Sequence, residues 1–173
     1  MGHEIGAFIG YLSGFPNSCN TAWPAPIEDE MRIDLDYMAR LLDVFLEADA
    51  AHISVPEMGR SGLQIAGENG LDEKFLFHFQ LAAENGLISN RDLQVNGLKS
   101  LGITIGAGGG VALVSTPIRL TQSGHDFANA LQNKEVLVRL RSELKDAPFR
   151  VLFDGSQKLL EHFLKKKLDQ LLE

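Results

Sequence analysis

The sequence predicts an α+β domain, and two observations support that prediction. In several segments apolar residues recur at spacings of three and four, which is the period of an amphipathic helix. Between these segments, short runs of β-branched residues flank the glycine-rich stretch 106–110, a pattern typical of a β-hairpin. The chain has 173 residues, of which 45% are hydrophobic, so one domain can bury a sizeable core.

The first predicted helix covers residues 34–48. Asp34 precedes the apolar pattern and is a suitable N-cap. The apolar side of this helix consists of Leu35, Met38, Leu41, Leu42, Phe45 and Leu46. The next segment, 49–71, is less regular. There we expect a short strand at Ile53 and Val55 before Pro56, a brief helix over 57–63, and a loop around Gly67 and Gly70.

The second predicted helix covers residues 72–85. Asp72 is its expected N-cap, and Phe75, Phe79 and Ala82 lie on its apolar side. Gly86 follows where a helix C-terminus favours a left-handed residue. A strand is expected to begin at Leu87 and Ile88.

Residues 87–120 predict β-structure, with a hairpin whose tip is the glycine-rich stretch 106–110. A phosphate-binding loop is the alternative for this stretch, but a helix would then follow it. Because Val111, Leu113 and Val114 instead continue an extended pattern, we favour the hairpin. A third helix is predicted from its N-cap Thr121 to about Leu144. Pro148, a few residues later, is expected to stop it.

A last helix is predicted from about Ser156 to Leu172. Its leucines are spaced four, four and three residues apart, so one face of the helix is apolar. Packing on its own domain is one interpretation, and pairing with a second copy of the chain is the other. The candidate dimerisation residues are Leu160, Phe163, Leu164, Leu168 and Leu171.

The order of these elements is that of a winged helix-turn-helix, with the glycine-rich hairpin as the wing and an extra C-terminal helix. The segment 118–127 resembles the strand after the wing and the start of the next helix in many winged-helix domains, where leucine-threonine, two variable residues and glycine recur. Leu120 is expected to point into the core, and Gly124 is expected to permit a close backbone approach.

Four stretches of the chain carry a resemblance to a known family; they are residues 31–35, 78–88, 119–127 and 147–168. In these stretches the chain resembles the uncharacterised bacterial and prophage family "domain of unknown function 2513". The resemblance covers residues 31–172. It implies a winged-helix-like fold and a bacterial or phage origin, and it implies no activity.

We predict three parts: an irregular arm over 1–30, a winged-helix-like domain over 31–150, and the C-terminal helix over 151–173. Glycine and proline punctuate the arm, and no helical or strand period survives there. Two interpretations of the arm remain open. It is either a loosely packed extension or a stretch translated from a misassigned start, with Met31 as the true one.

Composition and charge narrow the function classes. Cys19, the single cysteine, excludes an internal disulfide, and no run reaches the length of a membrane span, so we expect a cytoplasmic protein. The net charge of −7 opposes binding to polyanions. The charge is uneven, however: residues 31–90 hold four basic and ten acidic side chains, whereas residues 91–150 hold eight basic and five acidic.

The sequence contains no recognisable catalytic constellation, and we expect neither a cofactor nor a metal. His78 and His125 are the histidines considered as a metal-binding or proton-sharing pair, but no Cys, His or carboxylate accompanies His78 at ligand spacing. No serine lies in a nucleophile elbow. The chain is therefore not expected to be an enzyme.

Two functions remain open. The fold analogy favours a DNA-binding regulator of transcription type. Its binding to DNA is expected to be weak and salt-sensitive. Its candidate nucleic-acid contacts are Lys99, Arg119, Lys134, Arg139, Arg141 and Lys145. The acidic second helix favours the alternative, a protein–protein interaction module on the same fold without DNA binding.

Overall fold

The computed structural model describes residues 32–67 and 70–172, which belong to one unit, Met31–Glu173. The predicted arm over 1–30, with Cys19, lies outside the described residues. The helices are α1 (Leu35–Leu46), α2 (Val55–Arg60), α3 (Glu73–Glu84), α4 (Gln122–Gln132), α5 (Lys134–Glu143) and α6 (Phe149–Leu172). The prediction of an α+β fold is confirmed.

The strands are short and antiparallel. They are β1 (Ala66–Gly67), β2 (Gly70–Leu71), β3 (Ile88–Asn90), β4 (Ile103–Ile105), β5 (Val111–Leu113) and β6 (Ile118–Leu120). β1 pairs with β2, β3 with β6, and β4 with β5. The β4–β5 pair is the predicted glycine-tipped hairpin, and a 3₁₀ turn, Leu98–Leu101, precedes it.

β6 is the central strand of the described sheet structure. On one edge, Ile118 and Ile53 exchange two backbone hydrogen bonds of 2.8 and 2.9 Å. On the other edge β3 pairs with β6, and the N–H of Arg91 extends the ladder to the carbonyl of Pro117 at 3.1 Å. The spatial order is therefore Ile53, β6, β3.

α1 and α3 begin at the predicted caps. The Asp34 carboxylate accepts hydrogen bonds from the N–H groups of Asp36 and Tyr37, at 2.9 and 3.0 Å. The Asp72 carboxylate accepts one from the N–H of Phe75 at 2.8 Å. A side-chain oxygen is well suited to these otherwise unsatisfied N–H groups, which is why both caps could be predicted locally.

α2 begins two residues earlier than predicted, at Val55. The N–H and the hydroxyl of Ser54 both donate to the Glu57 carboxylate at 2.7 Å, and Pro56 lies in the first turn. Proline is favourable there because its missing N–H would have no helical partner. Val55 is therefore helical rather than extended, and only Ile53 forms the predicted strand pairing.

The backbone just after α3 is hydrogen-bonded to the backbone just before α4. Gly86 has the expected left-handed conformation, with φ +66°. The carbonyl of the next residue, Leu87, accepts a hydrogen bond from the N–H of Thr121 at 2.9 Å. Gly124 sits against that carbonyl, and its lack of a Cβ permits the approach. The predicted close backbone approach at Gly124 is confirmed.

The prediction of one continuous helix from Thr121 to about Leu144 is wrong. Asn133 leaves the helical region with ψ 111° and divides the segment into α4 and α5. Its side chain accepts hydrogen bonds from the N–H groups of Glu135 and Val136, at 3.0 and 3.2 Å. Asparagine favours such a break because its side chain can accept hydrogen bonds from the first N–H groups of a new helix.

α6 begins at Phe149, seven residues earlier than predicted. The Pro148 carbonyl accepts hydrogen bonds from the N–H groups of Val151 and Leu152, so Pro148 directly precedes α6. It does not end the preceding helix, because α5 already ends at Glu143. Every helix contributes to one core, which also includes β3, β6 and the hairpin. Its largest fully buried side chains are Met38, Leu41, Leu42, Met58, Phe75, Phe79 and Phe127.

Candidate interaction surface

The first half of α6 is anchored in the domain. The ring of Phe127 on α4 lies 5.4 Å from the rings of both Phe149 and Phe153. Leu152 and Ser156 are buried on the same side, and the Ser156 hydroxyl donates to the carbonyl of Phe153 at 2.7 Å. These contacts fix the direction in which the rest of the helix runs.

The middle of α6 is partly covered by the same domain. Leu160 and Phe163 are half-buried and pack against the core. The guanidinium of Arg139 on α5 lies 5.4 Å from the centre of the Phe163 ring, within the range of a cation–π contact. Two of the five candidate dimerisation residues therefore already have partners within the chain.

Beyond Phe163 every described residue of α6 is exposed. Four leucines lie in this part: Leu164 is 55% exposed, Leu168 54%, Leu171 74% and Leu172 78%. We call these four residues the C-terminal leucine stripe. Burying such a side chain fully is worth about 1.5–3 kcal/mol, so the stripe leaves considerable binding free energy unused.

The hairpin carries a second set of exposed apolar side chains. Ile103 and Leu113 are cross-strand partners, as are Ile105 and Val111, so these four side chains share one face. Ile103 is buried, whereas Ile105 and Leu113 are exposed, and Val114 beyond β5 is exposed as well. Of these four side chains, Ile103 alone is anchored in the core, and the other three are partly or largely exposed.

The candidate nucleic-acid contacts are distributed over separate elements. Lys134, Arg139 and Arg141 lie on α5, with Lys145 just after it, and all four are exposed. Lys99 lies in the 3₁₀ turn before the hairpin. Arg119 lies on β6, where its Nε donates to the carbonyl of Leu120 at 2.9 Å.

Both arginines of α5 are engaged inside the domain. Arg141 forms a 3.3 Å ion pair with Asp36 at the start of α1, and Arg139 covers Phe163. The packing partners of α5 are α4 and α6, whereas α3 packs on α1 and β3. Through Asp36, Arg141 reaches the first turn of α1, where the neighbouring Asp34 pairs with Lys74 of α3.

The outward side of α3 is acidic to neutral. Glu73, Gln80 and Glu84 are its exposed polar side chains. Its single lysine, Lys74, forms a 2.6 Å ion pair with Asp34. Phosphate contacts require free basic side chains, so this helix is poorly suited to a DNA groove.

The two histidines considered for chemistry are far from equivalent. His78 is buried and hydrogen-bonded within the α1–α3 contact, whereas His125 is exposed on α4. Over the ranges 32–67 and 70–172, no three His, Cys, Asp or Glu side chains are grouped so as to hold a metal ion. In those ranges, likewise, no helix has the length and apolarity needed to cross a membrane.

Sequence reasoning missed a groove of about 450 Å³ between the end of α1, β6 and α4. Its lining comes from Phe45 and Leu46 at the end of α1, from the following loop 48–53, and from Arg119, Leu120 and His125. These residues come from distant parts of the chain. No spacing in the sequence could have grouped them.

Comparison with known proteins adds no relative, because no protein-family model, no curated protein and no solved structure matches the chain. The resemblance to "domain of unknown function 2513" stays a prediction from the residues that carry it.

Proposed function

We propose that this chain is a non-enzymatic protein–protein interaction module, built on a domain of winged-helix type, whose C-terminal helix binds a second copy. One observation carries the proposal. The C-terminal leucine stripe continues the apolar side of α6 beyond the region that the domain covers. The role requires no cofactor and no metal.

A second copy is the favoured occupant because two pairs of leucines are placed symmetrically along the helix. Leu160 and Leu172 are equally distant from position 166, and so are Leu164 and Leu168. An antiparallel twofold pair centred there would place Leu164 of each copy beside Leu168 of the other. A twofold interface demands this kind of self-complementarity.

The charges flanking the stripe are compatible with such a pair. Lys165 forms a 2.6 Å ion pair with Glu161 on its own helix, which offsets its charge. Lys166 is about 200° around the helix from Leu164, so it lies on the opposite side. Repulsion between like charges at the twofold axis is thereby reduced.

Sedimentation velocity at several concentrations tests the proposal. The wild-type chain should show a concentration-dependent dimer, and the double variant Leu164→Glu, Leu168→Glu should be a folded monomer. The matched control places two glutamates on the opposite side of the same helix, at Lys166→Glu and Gln170→Glu. This control should still dimerise. A wild type that is monomeric at every concentration, or a control that dissociates equally, would refute the proposed interface.

A DNA-binding regulator of transcription type, of phage or prophage origin, is the second candidate. The strand order favours it: α2 and α3 lie between Ile53 and β3 in the chain, and the hairpin lies between β3 and β6. A winged helix has this arrangement, and its second turn helix normally enters the major groove. A cytoplasmic location suits either candidate and is part of the proposal.

Fluorescence anisotropy with a labelled duplex at low salt tests the second candidate. Binding should be weak and salt-sensitive. Neutralising Arg139 and Arg141 to glutamine should lower the salt slope by about one for each lost phosphate contact. Lys74→Gln serves as the comparison on α3. Tight binding that ignores salt, or that depends on Lys74 alone, would contradict this contact set.

A further inference from the structure

We infer that the groove between α1, β6 and α4 is a binding site for a small organic monoanion, a carboxylate attached to a compact apolar body. The inference rests on the composition of the groove and on the position of Arg119. It is independent of the leucine stripe, which lies on another element.

The groove combines an apolar floor with a cationic and hydrogen-bonding wall. Phe45, Ile53 and Leu120 contribute the floor, and all three are buried. Arg119, His52 and His125 contribute the wall from three separate segments. A volume of about 450 Å³ lies within the range of ligand pockets, and polar groups from separate segments converge on it.

Arg119 is held in position without being neutralised. Its Nε donates to the carbonyl of Leu120 at 2.9 Å, which leaves the two terminal nitrogens of the guanidinium as donors. The side chain is half-buried, and within the described part of the chain it forms no ion pair. A partly desolvated guanidinium favours an anion, and its fork matches the two oxygens of a carboxylate.

The remaining charges favour a monoanion over a dianion. Asp49 also lines the groove, so each added negative charge on a ligand meets repulsion. α1 ends at Leu46, beside the groove, and the C-terminal end of a helix carries partial negative charge. A phosphate monoester would experience both effects twice, whereas a carboxylate needs only the one positive charge that Arg119 supplies.

The full-length chain, labelled with ¹⁵N, should be titrated with benzoate and followed by its amide spectrum. Benzoate should produce saturable shifts at the amides of Leu120 and His125 and of the loop that contains His52. Benzamide has nearly the same shape without the charge, and phenyl phosphate has the same ring with a second charge. Both should bind at least about tenfold more weakly than benzoate. Benzamide lacks the charge-assisted hydrogen bond, and the second charge of phenyl phosphate meets added repulsion from Asp49.

The variant Arg119→Gln keeps hydrogen-bonding capacity but loses the charge, and it should weaken benzoate binding about tenfold or more. Arg150→Gln removes an exposed arginine on α6 and is the matched control, which should leave binding unchanged. Equal binding of benzamide and benzoate, tighter binding of phenyl phosphate, or no saturable shift at millimolar benzoate would each overturn the inference. The ligand comparison uses the wild type, so it decides the question even if Arg119→Gln fails to fold.

Discussion

The backbone N–H of Asp34 donates a 2.9 Å hydrogen bond to Nε2 of His78, which joins the start of α1 to the middle of α3. The other ring nitrogen, Nδ1, donates to the carbonyl of Lys74 at 2.8 Å. The two bonds fix one neutral tautomer, since Nε2 must be an acceptor. Tyr37 covers the ring at 4.8 Å, and burial lowers the pKa of His78 below its usual value.

This bond makes the stability of the fold depend on pH. The pKa of His78 is lower in the folded state than in the unfolded chain, so the unfolded chain binds more protons between the two values. The contribution of neutral His78 is therefore complete above about pH 6.5 and is lost as the pH falls below it. Urea midpoints should decrease from about pH 7.5 to about pH 5.5.

The variant His78→Gln should be less stable at neutral pH and should lose most of this decrease. His162→Gln replaces an exposed histidine of α6 and should retain the full decrease. If His78→Gln and the wild type lose equal stability over this interval, another group is responsible for the pH dependence.

Gly124→Ala should destabilise the domain strongly. A Cβ there would overlap the Leu87 carbonyl oxygen and would lie 2.9 Å from the carbonyl carbon, so backbone must move. We expect a loss of about 3 kcal/mol or more in the free energy of unfolding. Gly108→Ala is the control, because no atom lies within 4 Å of the added methyl group, and it should change stability by less than about 0.5 kcal/mol. Comparable losses in chemical denaturation would show that the close approach is not limiting.

Asn133→Ala should cost about 1 kcal/mol in the free energy of unfolding, because it removes the cap of α5. Asn133→Asp preserves the acceptor and should retain most of the stability. Circular dichroism and urea denaturation provide the measurement. If alanine and aspartate behave alike, tertiary packing rather than the cap separates α4 from α5.

Ending the chain after Phe163 should abolish self-association and leave the melting temperature nearly unchanged. The described residues after Phe163 are all exposed, so their removal uncovers little of the core. Light scattering measures the mass, and calorimetry at a concentration where the full chain is monomeric measures the stability. Ending after Leu159 is the contrasting truncation, since it also removes Leu160 and Phe163, and it should lower the melting temperature by several degrees. Equal losses for both truncations would place the tail in the folded core.

The parts of the fold that depend on local signals could be predicted from the sequence. Asp34, Asp72 and Thr121 are caps because of atoms within three residues of them, and such chemistry is visible in the chain. The glycine tip of the hairpin was predictable for the same reason. The break at Asn133 also has a local cause, but the apolar period continues through it and favoured a single helix.

The candidate sites were harder to predict because they depend on packing. The leucine spacing of α6 indicated an apolar face, but only the contacts of Leu152, Phe153 and Phe163 show where the domain stops covering it. Arg119 was predicted as a nucleic-acid contact from its charge alone. Its place in a groove with His52 and His125 depends on the pairing of β6 with Ile53, which no sequence spacing specifies.

The central position of β6 also has a kinetic consequence. Ile53 and β3 both pair with a strand that is synthesised after them, and Ile53 is separated from Ile118 by 65 positions. Closing so long a loop costs entropy before any ladder bond forms, whereas the turns of α1 and α3 close locally. Sheet closure should therefore follow helix formation, and Ile118→Val should accelerate unfolding in stopped-flow experiments with little change in the folding rate.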